Sequence, residues 1–300
     1  MNCGNIAQVD PNPLHAKFYA DHARQLQVGV IENVQVARDT YRIRLEAPQT
    51  ARQIVPGQFI MVRLPTGDDP LLARPLALYD TVIDEGGDLV GLDVVYLVVG
   101  KITRCLAACE AGDQLEIWGP LGNGFVLPDA KHLIMVAGGI GQTPFLALGR
   151  EQLQKRNYGL PPRPITPSEK VTLCYGARSA DLLAGIDDFR AAGIDVRVAT
   201  DDGTAGYHGL VTDLLGRCLA EAETTTCRVV CCGPEAMMEA VAGLSASANV
   251  PCQISLETPM ACGIGICFSC VTKVTQPDGT WDYKRTCVDG PVFDAETIVW

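Results

Sequence analysis

Positive charge is scarce in this sequence. Lys and Arg number 24 against 35 Asp and Glu, a formal net charge of −11 over 300 residues. With no basic stripe, the chain is not expected to bind nucleic acid or an anionic membrane surface. Phosphate-bearing cofactors stay open, because a local arginine and backbone N–H groups are enough to hold them. Long apolar runs are missing too: none approaches the roughly 20 residues of a membrane-spanning helix. The opening MNCGNIAQVDPNPLHAKFYADHARQ has neither the basic n-region nor the apolar h-region of a secretion signal. A cytoplasmic location is therefore expected. No internal repeat occurs. Cysteine is the exception to this scarcity. Its count of 13 is odd and reads as an intracellular chain rather than a disulfide framework. An apolar content of 47% and a charged content of 20% describe an ordinary globular chain with a sizeable core. The length suits two domains, or two plus a small appendage.

Residues 1–25 are polar, and a short helix fits Leu14 to Arg24. Residues 26–127 read as β. VGVIENVQVA, YRIRLEA, QFIMVRL, PLALYDTVI, LVGLDVVYLVV and DQLEIWG alternate in polarity, with turn signals such as Pro56-Gly57, Gly67-Asp68-Asp69-Pro70 and Gly112-Asp113 between them. About six antiparallel strands with a short helix near Lys101–Glu110 predict a small closed barrel. From residue 128 to 252 strands alternate with helices, which predicts βαβ units and a parallel sheet covered on both faces. HLIMVA, VTLCYGA, DVRVAT and CRVVCC are the strands; FLALGREQLQKR, DLLAGIDDFRAA, GLVTDLLGRCLA and EAMMEAVAGLSA are the helices. NYGLPPRPITPSEK, with four prolines, reads as a surface loop inside this domain. Residues 253–300 form a cysteine-bearing tail.

That tail carries the most specific signal. Cys262, Cys267, Cys270 and Cys287 stand as C-x4-C-x2-C-x16-C, the spacing of a plant-type [2Fe–2S] site. Two irons need two thiolates each, and Gly263 and Gly265 let backbone N–H groups turn toward sulfur. A structural zinc site is the alternative, although zinc normally takes two short C-x2-4-C pairs and only Cys267/Cys270 forms one. Most of the other cysteines sit in apolar runs and read as core.

Three further motifs suit phosphate or nucleotide. Gly138-Gly139-x-Gly141-x-x-Pro144 follows a strand and opens a helix, where glycines let the backbone approach a pyrophosphate and the helix end supplies free N–H groups. A plain tight turn is the other reading. Arg74-Pro75-Leu76-Ala77 in the barrel could pair a guanidinium with a flavin pyrophosphate, and Gly100-Lys101-Ile102-Thr103 precedes the short helix as a second anion seat. Cys232, in Cys231-Cys232-Gly233-Pro234, ends the last strand of the parallel sheet. It is either a neighbour of nicotinamide or a buried strand-end thiol.

Taken in order, a barrel with RPxx, then GPLGNGF, GGIGxxP, YGARS, TDDG, CGP and a tail ending CVDGPVF resembles the electron-transfer subunits of NAD-dependent (type B) dihydroorotate dehydrogenase. These are a branch of the ferredoxin-reductase superfamily, and the resemblance spans about Leu26 to Phe293. It implies FAD on the barrel at Arg74, Pro75, Leu76, Ala77 and Gly100 to Thr103, NAD(H) on the α/β domain, and the cluster on the four cysteines. It also implies a partner, the FMN-containing catalytic subunit, in a heterotetramer of two of each. Electrons would run from FMN through the cluster and FAD to NAD+, in pyrimidine biosynthesis. No catalytic residue for dihydroorotate is assigned to this chain. Ala77 and Ile102 depart from the family pattern, which has Ser or Thr and Gly there. The alternatives are a FAD/[2Fe–2S] reductase of another system, such as a sulfide dehydrogenase, NADPH–ferredoxin reductase or oxygenase, and a zinc-binding redox sensor or scaffold.

Overall fold

The computed structural model describes residues 20–65, 69–128 and 130–300. Cys3, the expected helix before Ala20, and Gly67 and Asp68 of the Gly67–Pro70 turn lie outside them. Alternation of burial builds the first domain. In sequence come β1 (Arg24–Ala37), β2 (Thr40–Leu45), α1 (Pro48–Ala51), β3 (Phe59–Arg63), β4 (Arg74–Ile83), β5 (Leu89–Leu97), α2 (Lys101–Ala107) and β6 (Gln114–Leu121). The six strands close as an antiparallel barrel in the order β1-β2-β5-β4-β3-β6. Ile43, Leu45, Ile60, Val62, Leu78 and Leu92 point inward with no exposed surface. Each such side chain contributes about 1.5–3 kcal/mol by leaving water.

The second domain continues with β7 (His132–Gly138), α3 (Phe145–Gln152), β8 (Lys170–Ala177), α4 (Ile186–Ala191), β9 (Asp195–Thr200), β10 (Tyr207–His208), α5 (Val211–Glu221), β11 (Cys227–Cys232), α6 (Glu235–Ser247) and β12 (Cys252–Ser255). The tail adds a hairpin, β13 (Val271–Thr275) and β14 (Trp281–Arg285), and then β15 (Val292–Asp294). The large sheet runs β10-β9-β8-β7-β11-β12-β15, parallel except for β15, which pairs antiparallel with β12. β12 and β15 thus extend the large sheet while β13 and β14 pair only with each other, and the expected boundary at residues 252/253 falls inside β12.

Two expected helices differ. DLLAGIDDFRAA is a 3-10 turn at Ala180–Leu182 and then α4, broken at Gly185. A Cβ there would stand 2.3 Å from the Tyr79 hydroxyl, so the break is where the barrel touches this domain. α3 stops at Gln152 instead of reaching Arg156, and Arg156 instead reaches the barrel carboxylate of Asp80 at 3.1 Å.

Asp80 holds the two domains together. It is buried on β4, and Arg150 of α3, Arg156 and the Tyr158 hydroxyl (2.6 Å) all converge on it. Tyr158 belongs to the proline-rich loop, so that loop is a strap across the domain seam rather than a free surface excursion. Arg163 of the same loop ties Glu151 to the Phe125 carbonyl, the latter at 2.7 Å. Tyr79, beside Asp80, donates to Asp188 of α4 at 2.7 Å. Burial, then the facing carboxylate, pushes both phenols upward, so they stay protonated donors at neutral pH. Replacing Tyr158 by Phe should cost about 1–2 kcal/mol, since the acceptor is charged but keeps its two arginines. The measurement is the thermal midpoint; an unchanged midpoint would remove the phenol from the account of the seam.

Candidate functional site

The four cysteines come together in two pairs. Cys270 Sγ lies 3.2 Å from Cys287 Sγ, and both are buried. Cys262 and Cys267 are in hydrogen-bond reach of each other, Cys267 at the surface. Among the described residues no three Cys, His, Asp or Glu side chains gather around one point. Two thiolates for each of two irons is the arrangement a [2Fe–2S] rhomb requires, and the donor set fits it.

Local electrostatics favour the thiolate at Cys267 and at Cys270. The hydrogen bond with Cys287 outweighs burial and brings Cys270 down to about 6, while Cys287 is pushed up in return. For Cys267 burial raises the value, but hydrogen bonds from Ser269 and Cys262 overcome it and leave the thiol at about 6. Thiolates are the form that binds metal. Backbone donors add to this: Ile264 N–H points at Cys262 Sγ (3.4 Å), and Gly265 N–H at Cys287.

The barrel wall shapes the loop. Gly263 adopts φ of 72°, and a Cβ on it would stand 2.6 Å from Met61 Cγ of β3. Trp118 of β6 donates its indole N–H to the Cys262 carbonyl at 2.9 Å. Phe59, Met61, Ala73 and Leu121 of the barrel form one apolar cluster with Met260, Cys270, Cys287 and Val288. The buried cysteine pair therefore joins the barrel cluster, while in the other pair Cys262 is half-buried and Cys267 reaches the surface.

Ala73 leads directly into the candidate flavin motif. Arg74 is exposed, its Nη1 donating to the Ala73 carbonyl at 2.9 Å. Leu76 points into the barrel, so only its backbone is available. Pro75 and Ala77 alternate with it on the outer face, and Pro75 pairs with Met61, the residue that touches Gly263. The flavin motif therefore lies one strand spacing, about 5 Å, from the strand whose Met61 touches the cluster loop. At α2, Thr103 Oγ1 accepts from the N–H of Gly100 (3.0 Å) and Val99 (3.1 Å). The N–H groups of Lys101, Ile102 and Thr103 begin the helix and have no intrahelical acceptor. The Ile102 side chain is core, and Lys101 pairs with Asp69, so this seat offers backbone donors first.

In the nucleotide domain two strand ends meet. A Cβ on Gly141 would stand 2.2 Å from the Cys232 carbonyl oxygen, so glycine is needed there for one loop to lie on the other. Gly138 likewise abuts Pro234 and Met237. Gly139 alone of the three has nothing within 4 Å of an added Cβ, which leaves the dinucleotide approach open at that point. Pro144 caps α3. Burial, then the Glu257 carboxylate, pushes the Cys232 thiol up to about 12, so it is a neutral S–H at physiological pH. Ser255 and Glu257 beside it were not singled out by sequence reasoning. Their signal was position, at the end of β12 and five residues before Cys262. The Gln142 amide, fully buried in the same turn, has neither nitrogen nor oxygen paired among the described residues.

Gly263→Ala should lose most of its iron and sulfide while binding flavin normally. The substitution combines a left-handed backbone, costing about 1–2 kcal/mol for an L-residue, with a collision against Met61. Gly279→Ala, left-handed but with open space around it, is the control that isolates the collision. Equal iron content in the two variants would show that contact with the barrel does not matter.

Comparison with known proteins places this geometry. Residues 257–299 match the family model for the iron-sulfur cluster binding domain of dihydroorotate dehydrogenase B, 135–243 an oxidoreductase NAD-binding domain and 27–125 an oxidoreductase FAD-binding domain. The dihydroorotate dehydrogenase B (NAD(+)) electron transfer subunit of Desulforamulus reducens is 36% identical over 266 residues, covering 88% of this chain and 94% of that one. That of Fusobacterium nucleatum is 34% identical, covering 90% and 96%. A solved structure of an NADH-dependent reduced ferredoxin–NADP oxidoreductase superposes with a TM-score of 0.75 at 27% identity, over 91% of this chain and 90% of that one. An oxidoreductase subunit with FAD, NAD and iron–sulfur domains in this order, at this identity and over this much of its length, belongs to the family of dihydroorotate dehydrogenase B electron transfer subunits.

Proposed function

We propose that this chain carries electrons between an FMN-containing catalytic subunit that oxidises dihydroorotate and NAD+, as a step of pyrimidine biosynthesis. The observation that carries the reading is the pairing of the cysteines, one pair buried against the barrel and the other ending at the exposed Cys267. Nicotinamide exchanges electrons in pairs and an iron–sulfur cluster singly, and a flavin, which does both, is the chemistry needed between them. Cys270 and Cys287 would hold one iron, and Cys262 and Cys267 the other. Arg74 and the first turn of α2 would receive the flavin phosphates, with Pro75 and Ala77 beneath the ring. The turn from Gly138 to Pro144 would receive the dinucleotide, and Cys232 would present a neutral thiol, which neither attacks nicotinamide nor adds charge beside it. Because Ala77 lacks a hydroxyl, ring contacts there would be apolar or through backbone.

No group on this chain is assigned to deprotonate dihydroorotate, so that chemistry falls to the partner, in a complex of two copies of each subunit in the cytoplasm. Among the described residues no helix is long and apolar enough to cross a membrane. Purified alone, the chain should reduce an artificial dye with NADH and leave dihydroorotate untouched. Adding the catalytic subunit should give NAD+-dependent orotate formation. Turnover of dihydroorotate by the isolated chain would sink this division of labour. In Cys287→Ser the cluster should be lost or unstable while NADH still bleaches the flavin; a full, stable cluster would exclude Cys287 as a ligand. The likeness to the ferredoxin–NADP oxidoreductase favours one second reading, a reductase subunit of another iron–sulfur system. Rapid transfer to ferredoxin with no response to the catalytic subunit would select it.

A further inference from the structure

We infer that Arg285 tunes the reduction potential of the cluster from outside the ligand set, an assignment that rests on the [2Fe–2S] reading. Arg285 ends β14, two residues before Cys287, and its side chain is only 13% exposed. Among its contacts are two residues of the cysteine loop. Nη1 donates to the Gly265 carbonyl at 2.9 Å, between Cys262 and Cys267. The guanidinium carbon lies 5.3 Å from the centre of the Phe268 ring, between Cys267 and Cys270. The two contacted residues have φ of 82° and 58°, the second a conformation that few side-chain-bearing residues adopt. Arg285 therefore braces the loop where its backbone is least able to hold itself. Gly265, fixed by its carbonyl, turns its own N–H toward Cys287.

The charge matters as much as the brace. Adding one electron to a four-thiolate [2Fe–2S] cluster makes it one unit more negative, with no bond formed or broken and no proton required. A mostly buried cation against the loop stabilises the more negative state, and so raises the potential. On the other side of the guanidinium, Asp289 Oδ2 accepts from Arg285 Nε (3.5 Å) and from its backbone N–H (2.8 Å). That carboxylate acts in the opposite sense. Lysine would keep the charge but lacks the planar, several-donor head that here lies over Phe268 while bonding Gly265.

The test is an EPR-monitored titration of the cluster-loaded full chain, with dithionite as electron donor. Arg285→Met should shift the midpoint negative, changing the reduced-to-oxidised ratio at a fixed potential by about tenfold, or 59 mV for one electron. Asp289→Asn should shift it positive, and Arg285→Lys should fall between wild type and Met. A purely structural role would move the two charge-removing variants in the same direction. Same-sign shifts, or a wild-type midpoint in Arg285→Met, overturn the assignment. If Arg285→Met cannot keep its cluster, Asp289→Asn decides: a positive shift supports it and no shift overturns it. Iron and sulfide analysis of the wild type separates the failures, because absence of two iron and two sulfide per chain defeats the cluster reading itself.

Discussion

Single-electron transfer weakens steeply with separation, so what the rest of this structure depends on is the contact of Gly263 with Met61, where the cysteine loop lies on the barrel wall. Nothing there relies on a tether. The loop is carried to the wall by β12 and returned to the nucleotide sheet by β15. Asn123, just beyond β6, fixes that return by accepting from Val292 N–H (2.9 Å) and donating to its carbonyl (2.8 Å). The Asn123 N–H adds a bond to Gly290 at 2.7 Å. One asparagine thus acts as a short strand for the last element of the chain. These contacts lock barrel, sheet and tail to one another, and the cysteine loop sits among them.

The seam between barrel and nucleotide domain obeys a different logic. Asp80 is a charge withdrawn from water, tolerable because two arginines and a phenol meet it. Such a group adds modest net stability but defines orientation sharply, since misalignment strands the carboxylate. Tyr79 and Tyr158, on either side, make the seam sensitive to the angle between the domains. That angle sets how the dinucleotide turn stands relative to the barrel motif.

The cysteine quartet stood out in sequence because spacing is a local covalent property that survives any tertiary arrangement, whereas its closing into two pairs depends on the fold. The barrel and the alternating domain were legible because burial alternates along their strands. The interruption at Gly185 and the early end of α3 were not, since each is decided by a residue roughly 70 to 110 positions away, Tyr79 or Asp80. For the same reason the proline-rich segment read as surface, when Tyr158 in fact inserts into the seam. GPLGNGF was recognisable as a pattern, yet its use emerged only with Asn123 against Val292. Ile102 stood out as a departure, and its place in the barrel core shows why a large side chain is accommodated there.

The unequal burial of the two cysteine pairs has a chemical corollary. Cys267 reaches the surface with Ile266 and Phe268 exposed beside it, whereas Cys270 and Cys287 are sealed beneath. An opening through which an electron can enter also admits dioxygen and chelators. Damage to the isolated chain should therefore begin at Cys267, and a subunit seated over that opening would be its shield against air as well as its electrical contact.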